Sequence, residues 1–145
     1  MNVRPHHWIR AASILTALYA SGHTIGRPWT PSRTAEAAAV VGQMRSVTFV
    51  AAGSTRSYWE FYQGFGVAIS GLVLVQAVLL WQLAGIARDG GRYRGMIAAH
   101  LLGFVFLGAV SARYLFAVPT VFSLVIAAVL GTALIGADRP SAAAP

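Results

Sequence analysis

Of the 145 residues, 57% are hydrophobic and only 10% charged, against the roughly 25% charged of ordinary soluble domains. Net charge is +7 from eleven basic residues, all arginine, and cysteine is absent, so a disulfide framework, a thiolate metal site and a cysteine nucleophile are excluded. A basic chain can signal nucleic acid, but these arginines punctuate the ends of apolar runs instead of clustering on a polar face, so no nucleic-acid partner is expected.

The mean hydropathy of +0.63 is more than a chain of this length can bury without exposing a large apolar patch. An integral membrane protein follows. Four apolar segments, about 8–25, 61–87, 96–112 and 114–137, are each near the roughly 20 residues that cross a hydrocarbon core. Spanning segments must satisfy their backbone internally, so they are read as helices. The fold class is therefore all-α, a four-helix transmembrane bundle forming one domain over residues 1–137, with a disordered tail at 138–145.

The first segment, "WIRAASILTALYASGHTI", has a rival reading as a secretory signal, with "VRPHHWIR" as its basic region and "ASG" near a cleavage site. Ser13 and Thr16 interrupt that apolar run. With Ala20, His23 and Arg27 they fall on one helical face, a stripe that should look towards other helices.

The connection from 26 to 58 is too long for a passive link. "RPWTPS" opens it as a turn. Val40, Val41, Met44, Val47 and Ala51 then recur at helical spacing, with Thr34 as a cap and Glu36 in the first turn. An interfacial helix over about 34–52 is expected, lying on the outer ends of the spans, and "GSTRS" then turns the chain into the second span.

"RDGGRYRG" at 88–95 is a Gly-rich turn carrying three arginines, whereas the next connection carries only Arg113. That asymmetry puts loop 88–95 and both termini on the cytoplasmic side of a cell membrane, by a margin of six arginines to five over all loops.

In that topology the end of the first span meets the start of the second. His23 and Trp29 converge with Arg56, Tyr58, Trp59, Glu60, Tyr62 and Gln63. Arg56, Glu60, Gln63 and Ser70 lie within one face of the second helix, with Val67 filling the gap. Ionisable residues at membrane depth are functional by default, and an imidazole beside a carboxylate can pass a proton. His23, Glu60 and Tyr62 are thus the catalytic candidates. Trp29, Arg45, Arg56, Tyr58, Trp59, Gln63 and Phe65 are the candidates for binding a ligand. The blander account makes Arg56 and Glu60 an i,i+4 pair and the aromatics an interfacial belt.

His6, His7 and His100 raise haem or a transition metal, but His23 belongs to the opposite face and no carboxylate accompanies His100, so no cofactor and no metal are expected. Gln76 and Gln82 lie off the Glu60 stripe and are candidates for contact with a second copy in a homo-oligomer.

"GHT" at 22–24, "MRSVTF" at 44–49 and "GSTRSYWEFYQGFG" at 53–66 together resemble small uncharacterised four-helix membrane proteins of bacteria. The resemblance covers most of the chain up to the second span. It implies a polytopic membrane fold with these segments as its hallmark, and it implies no named activity.

The function expected is a pocket at one membrane face for a lipophilic or amphipathic small molecule, with membrane lipid around it and proton transfer or isomerisation as the easiest chemistry. Whether the protein is an enzyme stays open. The alternatives are a non-catalytic membrane subunit or lipid-binding scaffold and, ranked below them, a small transporter.

Overall fold

The computed structural model describes residues 4–26 and 33–137. In chain order it forms α1 (Pro5–Gly26), α2 (Ala35–Ser46), β1 (Thr48–Ala51), β2 (Ser54–Ser57), α3 (Tyr58–Arg88), α4 (Arg94–Tyr114) and α5 (Ala117–Gly136). Trp29, Arg27 and the tail expected at 138–145 lie outside the described residues. Three helices, α3, α4 and α5, are long and apolar enough to cross a membrane. α1 is as long, 22 residues, but Arg10, three histidines and its hydroxyl residues dilute its apolar content, and it is not among them.

The contacts divide the chain into two compact units, Met1–Tyr19 with Val73–Pro145, and Ala20–Leu72. In the first, α4 and α5 pack most closely. Gly108 makes that approach possible, because a Cβ there would stand 3.2 Å from Leu124 and 3.5 Å from Ser123. The core combines Ile9 and Ala12 of α1 with Leu80 of α3, Ile97 of α4, and Ile126 and Leu130 of α5. Three of its buried hydroxyls find partners: Ser13 Oγ donates to the Ala77 carbonyl at 2.7 Å, and Thr16 and Ser123 donate one turn back along their own helices. The Ser13 and Thr16 stripe read from the sequence is thus turned into protein. α3 ends in a Schellman motif, with Gly90 at φ +80° and Gly91 N–H donating to the Ile86 carbonyl.

In the second unit the structure corrects the helix expected over 34–52. α2 stops at Ser46, and the residues after it form an antiparallel hairpin in which Phe49 pairs with Arg56 and Ala51 with Ser54. The reason is local. Val47, Thr48 and Val50 are β-branched, and Phe49 among them favours a strand too. Ala52 and Gly53, at φ +48° and +76°, form a two-residue turn whose sign at both positions matches the twist of a hairpin. Ser54–Ser57 of "GSTRS" is therefore strand where a turn was expected, and α3 begins at Tyr58, three residues before the expected second span. Thr34 does cap α2, accepting from Ala37 N–H, with Glu36 in the first turn.

Candidate functional site

The start of α3 is set by four residues, Ser57-Tyr58-Trp59-Glu60. Ser57 Oγ accepts from Glu60 N–H at 3.1 Å, while Glu60 Oε2 accepts from Ser57 N–H at 2.7 Å and from the Ser57 hydroxyl at 3.1 Å. This reciprocal pair is a capping box, and it satisfies two amide donors that a helix start would leave open. The acidic side chain is thereby folded back on its own N-terminus, where the helix dipole also favours an anion.

Two consequences correct the sequence reading. Arg56 lies in β2, so it has no helical i,i+4 relation to Glu60, and its Nη1 donates to the Thr55 carbonyl at 2.8 Å. Glu60 itself is exposed and lies about 80° around the helix axis from Ser70. The half-buried positions at the start of α3 are Trp59, Gln63, Gly66 and Ser70, spaced four, three and four. That spacing marks one face of a helix.

Opposite that face, in the same unit, stands His23. Its Nδ1 shares a hydrogen bond of 2.9 Å with Ser70 Oγ, the tautomer deciding which atom donates. Ser70 is ten residues beyond Glu60, about 15 Å along the helix. The imidazole is therefore brought to a hydroxyl instead of the carboxylate that the sequence suggested. His23 sits near the end of α1, where Thr24 donates to the Ala20 carbonyl.

The aromatics divide between two faces of α3. On the stripe side, the Arg45 guanidinium from the last turn of α2 lies 5.1 Å over the Trp59 ring, and Trp59 and Tyr62 have centroids 5.7 Å apart. On the other side, Phe49 of the hairpin meets Tyr58 at 5.0 Å and Phe61 at 5.4 Å, and Phe61 meets Phe65 edge-on at 4.8 Å. Of the candidate residues, Arg45, Trp59 and Tyr62 are thus brought together. Tyr58 and Phe65 belong to the second cluster, and Gln63 lies on the stripe between Trp59 and Ser70.

Sequence reasoning passed over Phe49 and Ser57. The signal for Ser57 was present as S-x-x-E before an apolar run. That for Phe49 lay in two short strand-like runs about a two-residue turn ending in glycine. Ser70 is legible in the sequence as a polar group on the second span, but its pairing with His23 is not.

Compared with the models of known protein families, with curated proteins and with solved structures, the chain matches none. The chemistry of the site therefore rests on its own geometry. Among the described residues no group of three or more histidine, aspartate or glutamate side chains is placed to hold a metal ion. His23 with Ser70 can accept, hold and return a proton, and the Arg45–Trp59–Tyr62 group can face an anion or a flat apolar surface.

Proposed function

We propose that the protein is a multi-pass membrane protein of the cell membrane in which α1 is a fourth span. On this reading both termini are cytoplasmic, and the stripe from Trp59 to Ser70 binds a lipophilic or amphipathic small molecule. The observation that carries the reading is the His23–Ser70 pair, a part-buried imidazole held by a hydroxyl of a helix apolar enough to span a membrane. Support for room beside it comes from Gly66, half-buried between Gln63 and Ser70, where a Cβ would meet no atom within 4 Å.

In this reading the apolar body of the ligand lies along Gly66. An anionic or carbonyl end faces Arg45, with Trp59 and Tyr62 as walls. His23 is the proton carrier and takes a proton from one atom of the ligand and returns it to another, so an isomerisation needs no co-reactant. Ser70 orients the imidazole. Glu60 serves first as the cap of α3 and only through that as support for Trp59 and Tyr62.

The test uses the full chain in lipid nanodiscs, with native mass spectrometry for a co-purified small molecule. His23→Ala and Gly66→Leu should both lose the bound mass while keeping a monodisperse, folded protein. Retention of the bound mass in both variants would remove the site. A second reading, a non-catalytic scaffold, is favoured by the capping box, which accounts for Glu60 by structure alone. It predicts that the same variants change stability and no bound mass.

A further inference from the structure

The first unit carries a second group of charged residues that the proposed function does not use. At the start of α1 stand Arg4, His6, His7 and Arg10, with the two imidazole rings 4.1 Å apart. The Arg10 guanidinium lies 5.0 Å over the Trp81 ring near the end of α3, so this part of α1 is held against the last turns of α3. Arg88 closes α3, and the chain then passes through Arg92 to Arg94 at the first position of α4. The last residue of α5 reaches the same end, since a Cβ on Gly136 would stand 3.4 Å from the Pro5 ring.

Five arginines thus gather with one acid, Asp89, whose carboxylate accepts from Arg88 Nε at 2.9 Å. Five minus one leaves +4, before counting the positive end of the α1 dipole. The His6 imidazole lies within electrostatic reach of His7, Arg10, Arg4 and Arg88. One donor stands out. Arg10 Nε is buried and has no hydrogen-bond partner among the described residues. A buried, charged N–H without an acceptor is costly, and an anion with several oxygens is the simplest group to complete it.

We propose that this end of the unit, built from Arg4, Arg10, Arg88 and the Trp81 ring, binds a phosphate group, presented as the headgroup of an anionic phospholipid. Phosphate matches the chemistry, because guanidinium donors are suited to bidentate contact with its oxygens. The lipid source follows from position. Arg88 ends α3 and Arg94 begins α4, both helices apolar enough to cross a membrane, and basic residues at such ends sit at headgroup depth. Trp81, half exposed beside Arg10, would face the glycerol and upper acyl region.

The experiment measures thermal midpoints of the full-length protein in detergent, with phosphatidylglycerol, phosphatidylcholine or inorganic phosphate added. Phosphatidylglycerol should stabilise the wild type and phosphatidylcholine should not. Arg4→Gln and Arg88→Gln, both at exposed positions, should each weaken the apparent affinity for phosphatidylglycerol roughly fivefold, as expected for one basic residue at a membrane surface. Arg10→Gln should remove most of the effect, and Arg33→Gln, in the other unit, should change nothing. Stabilisation by inorganic phosphate that is lost in Arg10→Gln keeps the site and assigns it to the free anion. Equal effects of the two lipids on the wild type, with phosphate silent, overturn the proposal, as does an unchanged lipid preference in both Arg10→Gln and the double Arg4→Gln/Arg88→Gln variant.

Discussion

At the scale of single residues, Ser57 has the clearest energetic role. It is buried and is both donor and acceptor to the same glutamate. Ser57→Ala should cost about 1 kcal/mol of local stability, the usual loss for an N-cap hydroxyl. Hydrogen exchange should report it as faster exchange confined to the first turn of α3, whereas Ser57→Thr, which keeps a hydroxyl that accepts from Glu60 N–H and donates to its carboxylate, should preserve protection. Ala52 is the opposite case. It adopts φ +48°, a conformation costing an L-residue with a Cβ roughly 1–2 kcal/mol. Ala52→Asn would make the turn Asn-Gly, the pair best suited to that geometry, and should raise the thermal midpoint. A lower midpoint would mean that the turn is not of this kind in solution.

At the scale of elements, α3 is longer than a membrane requires. Its 31 residues extend about 46 Å, against a hydrocarbon core of about 30 Å. Crossing upright, α3 would leave about ten residues beyond the core, and the polar and aromatic start, from Tyr58 to Gln63, is the natural part to project. That end is where the hairpin packs, through Phe49 on Tyr58 and Phe61 and through Tyr58 N–H donating to the Val47 carbonyl. A two-stranded hairpin alone is marginal in water. Here its apolar residue rests on the helix that follows, and α2 supplies Arg45 to the opposite face. The division of α3 into two aromatic faces comes from this arrangement, with Trp59 and Tyr62 on one and Tyr58, Phe61 and Phe65 on the other.

At the scale of the molecule, the proposed topology is open to direct labelling because the chain contains no cysteine. Gly42 of α2 and Asp89 after α3 are exposed positions suited to single-cysteine variants, and a Cβ on Gly42 meets nothing within 4 Å. In intact cells a membrane-impermeant maleimide should label Gly42→Cys, and should label Asp89→Cys only after permeabilisation. The reverse pattern would invert the orientation, and equal labelling of both in intact cells would remove the odd number of crossings between them. In the first unit the same accounting explains the polar stripe of α1. Ser13 and Thr16 are turned to protein with their hydroxyls satisfied, as the proposed fourth span would require.

What the sequence determined by itself was the set of elements governed by apolar length and local punctuation. Three long apolar runs became three helices fit to cross a membrane, and Thr34 and Gly90 acted where a cap and a turn were expected, since such signals act within a few residues. Tertiary structure decided the rest. Val47 to Ala51 could continue a helix by apolar spacing; their β-branched run and the Ala52–Gly53 turn favour the strand locally, and the packing of Phe49 on Tyr58 and Phe61 is what tertiary structure adds. Arg56 and Glu60 are four residues apart in either case, and only the position of the helix start settles whether they share a face. His23 has a hydroxyl beside it in place of a carboxylate because helix rotation and register, fixed by packing over many residues, choose which polar group an imidazole meets.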